Sequence, residues 1–251
     1  MTCPLPLMPC ILPDMHNDLS FSFLHLARWS CVAFFLGGAG VIHSEQPDLA
    51  SVVPDLMVPA CEPGGIPAAG KRVAQTTTGS IGTAVHHALH LPADWEPGAD
   101  FPVLVEYPGN GNYRNKFGDV STGRVEDGHL GYGIGGGKGF IWVVMPFVEG
   151  AGAQKQNAAL WWGEVHETKR YCTATVKEVC SRYGGDPGKV VLCGFSRGSI
   201  ACNYIGLHDG SIAGTWKAFI CHSHYDGVNE KWPYPDAGRA AALGRLRRLG
   251  G

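Results

Sequence analysis

Four short runs of apolar residues follow one another from residue 101 onwards, separated by polar and glycine-rich stretches. They cover residues 101–107, 140–148, 189–193 and 216–224. Runs that are apolar at nearly every position, such as FIWVVMPFV, are typical of buried strands that are covered on both faces of a sheet. A fifth segment, residues 86–91, alternates weakly and ends at Pro92, which predicts an edge strand.

Three longer segments, residues 160–183, 197–208 and 236–249, carry helical spacing. The first has an apolar stripe and ends at a Gly-Gly-Asp-Pro stop. In the last we expect the leucines to face inward and the arginines outward, namely Leu243, Leu246 and Leu249 against Arg245, Arg247 and Arg248. Because strands alternate with helices, the pattern predicts an α/β fold with a mostly parallel sheet flanked by helices.

The N-terminal segment, residues 1–44, has the pattern of a secretory signal. Arg28 precedes an uncharged, mostly apolar run, residues 29–42, which closes with small residues and is too short to span a bilayer comfortably. We therefore expect cleavage within residues 40–45 and a secreted or periplasmic protein, with a buried N-terminal helix as the alternative. The Pro-, Ala- and Gly-rich residues 45–80 predict an irregular linker, which leaves residues 81–251 as the folded domain.

Charge and cysteine content narrow the function classes. Lysine and arginine number 20 against 22 acidic residues, so the net charge of −2 provides no basic field for a nucleic acid. Three of the nine cysteines lie in residues 1–44. The sequence contains no C-x-x-C pair, which argues against a zinc ribbon and against a thioredoxin site. The other six permit disulfides that a domain of this size does not need, and Cys193 and Cys221 are expected to be small core residues.

The strongest candidate chemistry is Gly194-Phe195-Ser196-Arg197-Gly198, a G-x-S-x-G that directly follows a predicted strand and precedes a predicted helix. A turn this sharp strains the serine, and the two glycines leave space where side chains would collide. Ser196 would be the nucleophile, with the N–H of Arg197 as one oxyanion donor. The alternative is a glycine-rich turn with an idle serine.

The long glycine- and asparagine-rich loop after the first apolar run, residues 108–139, offers a second oxyanion donor. It opens with Pro-Gly-Asn-Gly, where the N–H of Asn110 is the natural candidate, unless the segment is a plain turn. Further on, residues 131–136 match G-x-G-x-x-G but precede a strand, so we expect a flexible active-site loop rather than a dinucleotide cradle. Trp161 and Trp162 are candidates for substrate binding or, alternatively, for the core.

Residues 85–227 resemble α/β-hydrolases of the poly(hydroxyalkanoate) depolymerase or feruloyl-esterase type. The resemblance is carried by RYGGDPGKVVLCGFSRG around Ser196 and, more loosely, by YPGNG in place of the family's His-Gly oxyanion turn. It implies a carboxylic-ester hydrolase without a cofactor, often exported, that acts on a small-molecule or polymeric ester. Peptidases share the same elbow.

This family usually carries its acid after the seventh strand and its histidine after the eighth, and the chain has one predicted strand and one helix beyond the elbow helix. We therefore expect a domain that lacks the last strands and is incomplete at its C-terminus. The local candidates are His224 as the base and Asp226 as the acid. Two alternatives remain open: a degenerate, non-catalytic hydrolase fold, and a metal-dependent hydrolase that uses the H-x-H-x-D cluster His222, His224 and Asp226.

Overall fold

A computed structural model describes residues 51–116 and 120–250, so the predicted leader and its cleavage region lie outside the described residues. The strands are β1 (Arg72–Gln75), β2 (His87–His90), β3 (Phe101–Tyr107), β4 (Tyr113–Arg114), β5 (Val120–Ser121), β6 (Ile141–Val144), β7 (Val148–Glu149), β8 (Gln156–Asn157), β9 (Gly185–Phe195) and β10 (Ala218–His222). The α-helices are α1 (Leu130–Gly135), α2 (Val165–Tyr183), α3 (Arg197–Tyr204), α4 (Gly210–Ala213) and α5 (Arg239–Leu246).

Six of these strands form the central sheet in the order β1-β2-β6-β3-β9-β10. The four strands from β6 to β10 pair in parallel, whereas β2 runs antiparallel to both β1 and β6. Parallel strands need helical crossovers, and these place helices on the faces of the sheet. The mostly parallel sheet flanked by helices that the sequence predicts is therefore confirmed.

The two faces of the sheet carry separate hydrophobic clusters, because successive residues of a strand alternate between faces. On one face Val103, Val105 and Leu192 pack with apolar residues of α2 and α3. On the other face Leu104 and Trp142, which are register partners, pack with Tyr132 of α1 and its surroundings. The parallel strands thus end between covered layers, and their carboxyl ends form the edge where ligands bind in this architecture.

At the N-terminal side of the sheet the sequence analysis missed a strand. β1 lies inside residues 45–80, which the sequence predicts to be an irregular linker. It is the edge strand of the sheet, a position that the sequence predicts for residues 86–91. β2 is consequently an inner strand, buried at all four positions. Residues Val53–Gly251 form one compact unit, so the segment that carries β1 belongs with the sheet. The sequence RVAQ is too short and too polar to show a strand pattern by itself.

Strand β10 was expected to be buried on both faces, and this expectation is wrong. Four of its five residues are exposed, Ile220 and Cys221 among them, because β10 is the edge strand of the sheet in the described part of the chain. Cys193, on the neighbouring strand, is buried as expected. All six cysteines of the described residues are free thiols.

The expected orientation of the last helix is correct for Arg247 and Arg248, which are exposed, but wrong for the other arginine and for two of the leucines. Leu243 and Leu249 are about half exposed, while Arg245 is buried. The reason is electrostatic, since the Arg245 guanidinium pairs with the buried carboxylate of Asp226. None of the helices among the described residues has the length and apolar character needed to cross a membrane.

Two buried histidines make the stability of the fold depend on pH. Burial lowers the pKa of His87 to about 3, and burial together with Arg72 lowers that of His90 to about 4. The Nδ1 atom of His87 lies 2.9 Å from the hydroxyl of Tyr171 on α2. Both imidazoles are therefore neutral parts of the core at pH 7.

These depressed values predict a loss of stability in acid. Unfolded histidine has its pKa near 6.5, so between roughly pH 6.5 and 4 the unfolded chain binds more protons than the folded chain. The free energy of unfolding should fall as the pH falls through this window. His87→Gln, which removes one such group, should show a shallower slope in urea unfolding measured at several pH values. The exposed His166→Gln is the control, and an unchanged slope in His87→Gln would contradict the prediction.

Candidate active site

Ser196 stands at the junction of β9 and α3 in a strained backbone conformation. Its φ of 53° and ψ of −113° lie in a region that L-residues rarely adopt. The residue is the N-cap of α3, so its side chain stands at the carboxyl end of the sheet beside the start of a helix. This is the geometry of a nucleophile elbow, as the sequence predicts.

The two glycines of the elbow are required by backbone contacts. A Cβ on Gly198 would overlap the carbonyl oxygen of Tyr107 at the end of β3, and a Cβ on Gly194 would overlap the backbone of Gly198. Both contacts fall well under the 3.0 Å that real Cβ atoms observe. The predicted space requirement at both positions is confirmed, and it brings α3 directly against two neighbouring strands.

The two proposed oxyanion donors lie at the start of α3 and on the loop that follows β3. Arg197 is the first residue of α3, where an N–H has no acceptor within the helix. Asn110 follows β3, and its N–H takes part in no backbone hydrogen bond among the described residues. The adjacent Gly111 is held by a 2.8 Å bond from its N–H to the carbonyl of Ala159.

The side chain of Arg197 is buried and contacts the two loops that carry Trp161 and Gly123. Its guanidinium donates to the carbonyls of Trp161 at 2.8 Å and Gly123 at 3.4 Å, and stacks over Phe147 at 4.1 Å. The N–H of Trp161 in turn donates to Oδ1 of Asn110 at 2.7 Å. Burial alone lowers the pKa of Arg197 to about 9. Arg197, whose N–H is one candidate oxyanion donor, is thus linked through Trp161 to the loop that carries the other candidate, Asn110.

A cleft of about 620 Å³ opens above the elbow. Its described lining comprises Asn110, Gly111, Asn112, Tyr113, Val120, Ser121, Phe195, Ser196, Ser223 and His224. The volume lies in the range of small-molecule sites. The structure therefore brings together three of the predicted site residues, Ser196, Asn110 and His224, in one cleft.

Two hydrogen bonds hold the histidine loop against the elbow. The N–H of Ser196 donates to the carbonyl of His222 at 3.0 Å, and the Ser199 hydroxyl donates to the carbonyl of His224. The His224 ring packs against Trp232, with 5.6 Å between centroids, and its Nδ1 atom lies 2.8 Å from the hydroxyl of Ser223. His224 is therefore held by contacts on its backbone and on its ring.

Asp226 does not join this group. Its carboxylate accepts hydrogen bonds from Tyr234 at 2.8 Å and from Nε of Arg245 at 3.0 Å, and the residue is 3% exposed. Burial raises the pKa of Asp226, against the opposing effects of Tyr234 and Arg245. No hydrogen bond among the described residues connects Asp226 with His224. The carboxylate anchors α5 to the loop after β10 instead.

The predicted metal cluster does not assemble either. His222 contributes to a separate cavity of about 210 Å³ beside Phe195 and Glu106, whereas His224 lines the main cleft and Asp226 is bound to Arg245. Within residues 51–116 and 120–250, no group of three or more metal-ligating side chains could hold an ion. The idea that these three residues share one metal is wrong for this geometry.

The two tryptophans occupy different places. Trp162 is 4% exposed and packs in the core against Phe147, Tyr204 and Tyr234, which agrees with the core alternative. Trp161 is half-buried with a positive φ of 48° and serves the loop contact to Asn110. Neither tryptophan is among the described residues that line the cleft.

Glu106, which the sequence analysis does not single out, is a buried carboxylate that lines the smaller cavity beside the cleft. Glu106, inside the apolar run of β3, accepts hydrogen bonds from the N–H of Gly131 at 2.8 Å and from Nε1 of Trp142 at 2.9 Å. The expected flexible loop is in fact the short helix α1, and a Cβ on Gly131 would overlap Trp142. A lone charge within a buried strand was the available signal.

The strand order and the elbow together define an α/β-hydrolase-type fold. No protein-family model matches the chain, and a search of curated proteins finds no relative. Similar solved structures include a dipeptidyl aminopeptidase IV-type protein from Bacteroides ovatus (18% identity, TM-score 0.42), dipeptidyl peptidase 4 from Porphyromonas gingivalis (15%, 0.39) and acetyl xylan esterase from Aspergillus awamori (17%, 0.38).

These matches cover 71%, 59% and 59% of this chain but only 23%, 20% and 50% of the respective structures. The chain therefore spans half or less of the length of each. At such identities and scores the likeness says nothing about the reaction, which has to come from the residues of this chain.

The backbone contacts of Gly198 predict that the elbow does not tolerate a side chain at this position. Gly198→Ala should lower the free energy of unfolding by about 3 kcal/mol or more, because the added methyl group meets backbone rather than a movable side chain. The matched control is Gly244→Ala in α5, where a Cβ meets nothing within 4 Å; it should stabilise by up to about 1 kcal/mol. Denaturant unfolding measures both, and equal effects would refute the assignment.

The pairing of Asp226 predicts a structural rather than catalytic phenotype. Asp226→Asn and Arg245→Met should each cost about 3–5 kcal/mol, since each leaves a buried partner uncompensated, and the double variant should cost less than the sum. Lys71→Met, in the exposed pair with Glu62, is the control and should have little effect. Loss of turnover in fully folded Asp226→Asn would instead identify Asp226 as the acid of the site.

Proposed function

We propose that this protein is a serine hydrolase that cleaves carboxylic esters through an acyl-enzyme on Ser196. The observation that carries the proposal is the strained φ of 53° at Ser196, at the strand-to-helix turn that opens into the cleft. Strain of this kind persists only where the surrounding structure enforces it, and it clusters at reactive sites. Here the strained residue lines the same cleft as Asn110 and His224.

The reaction would follow the order of events in acyl transfer. The Ser196 oxygen attacks the ester carbonyl while its proton passes to Nε2 of His224, and the N–H groups of Arg197 and Asn110 stabilise the oxyanion. The imidazolium then gives its proton to the departing alkoxide as the carbon–oxygen bond breaks. Water loses a proton to the imidazole and adds to the acyl carbon, after which the proton returns to Ser196.

The charge of the cleft supports an ester rather than a charged substrate. None of its described lining residues is a lysine, an arginine, an aspartate or a glutamate. Asp226, the nearest carboxylate in sequence, is paired with Arg245, and no hydrogen bond joins a carboxylate of the described residues to His224. Ester cleavage expels an alkoxide, which needs less help from a protonated base than the amine of an amide does.

Two measurements on the purified chain test this function. A fluorophosphonate probe should label the wild type and not Ser196→Ala, and hydrolysis of p-nitrophenyl butyrate should fall by at least about 10³-fold in that variant. Ser181→Ala, on the exposed side of α2, is the control and should behave as wild type. A p-nitroanilide with the same acyl group should be cleaved far more slowly than the ester.

Three outcomes would redirect the assignment. A folded chain that neither reacts with the probe nor hydrolyses the ester would be the non-catalytic alternative. Labelling that survives in Ser196→Ala would place the nucleophile elsewhere. Faster cleavage of the anilide than of the ester would indicate a peptidase.

A further inference from the structure

Ser223 has an unusual backbone conformation for its residue type. It lies between His222 and His224 on the loop after β10, and its φ is 86° without the freedom of a glycine. The carbonyls on both sides of it are tied to the elbow, one by the N–H of Ser196 and the other by the hydroxyl of Ser199. The strained Ser223 is therefore held between a hydrogen bond to Ser196 and a hydrogen bond to Ser199 in the first turn of α3.

This conformation has a specific result. It places the Ser223 hydroxyl 2.8 Å from Nδ1 of His224. Both side chains line the cleft that also contains Ser196, and Trp232 packs against the imidazole ring. A catalytic histidine needs a third group at its remote nitrogen to fix the tautomer and the ring plane.

We propose that Ser223 is the positioning residue of the site, and that its hydroxyl takes the place of the carboxylate of a catalytic triad. Its oxygen accepts a hydrogen bond from Nδ1–H of His224, which leaves the lone pair of Nε2 to receive the proton of Ser196. This inference rests on the proposed function and assigns a role that the sequence had given to Asp226.

A hydroxyl and a carboxylate differ in what they do for the base. Both can select the tautomer that is protonated at Nδ1, but only the carboxylate carries a charge that stabilises the imidazolium formed during the reaction. An aspartate at position 223 should therefore do what serine does and add electrostatic support. Aspartate and asparagine also tolerate a positive φ better than most residues, which makes both substitutions compatible with this turn.

The experiment compares Ser223→Gly, Ser223→Asn and Ser223→Asp in ester hydrolysis over a range of pH. Ser223→Gly removes the hydroxyl and relieves the strain, and it should lower kcat by about 10-fold or more with little change in KM. Ser223→Asp should recover or exceed the wild-type kcat, and the acid limb of its profile of kcat/KM against pH should move to higher pH. Ser223→Asn, which has the same shape without the charge, should show no such move.

Asp236→Gly is the control for a glycine placed at a left-handed position, because Asp236 has a φ of 56° outside the cleft; it should leave kcat unchanged. Wild-type kcat and pH profile in Ser223→Gly would overturn the inference. So would Ser196-dependent hydrolysis that survives in His224→Gln, and in that case the proposed function still stands. Failure of the proposed function itself would appear separately, as hydrolysis that persists in Ser196→Ala.

Discussion

The close approach of the start of α3 to the end of β3 is the constraint on which the rest of the site depends. At Gly198 the helix backbone lies against the carbonyl of Tyr107, with no room for a side chain. This contact leaves only a single residue, Ser196, to turn the chain from strand to helix, and so forces its strained φ. The same contact brings the loop that follows β3 beside the helix N-terminus, so that Asn110 lines the cleft together with Ser196.

The Arg197 side chain connects the start of α3 to the loop that follows β3 by hydrogen bonds through Trp161. A guanidinium buried without a carboxylate is costly. In the described part of the chain two carbonyls and the face of Phe147 offset this cost in part, while Nε of Arg197 has no hydrogen-bond partner. The bonds run from Arg197 to Trp161 and from Trp161 to Asn110. These two hydrogen bonds link the start of α3 to the loop that carries Asn110.

The elbow could be predicted from sequence because its determinants are local. Five consecutive residues, flanked by an apolar run and a helical pattern, specify both the turn and the need for glycine at positions 194 and 198. The loop after β3, whose Asn110 lines the cleft with Ser196, could be singled out for the same reason. The fold class followed from the alternation of strands and helices, a property that survives errors in single elements such as the missed β1.

What could not be predicted depends on contacts between distant segments. Asp226 and Arg245 are 19 residues apart, and only the tertiary structure shows that they neutralise each other. The exposure of β10 depends on which strands lie beside it, not on its own apolar sequence. Ser223 is a common residue in a polar loop, and nothing in its neighbours signals the backbone strain that directs its hydroxyl to His224.

Because β10 is at the edge of the sheet, the two sides of the cleft are supported by different numbers of neighbouring strands. Ser196 and Asn110 are carried by inner strands that pair on both edges, whereas His224 follows a strand that pairs on one edge only among the described residues. Local opening of a protein begins where the fewest buried contacts must be broken. The first fluctuation at this edge of the sheet would therefore withdraw His224 while Ser196 and Asn110 stay in place.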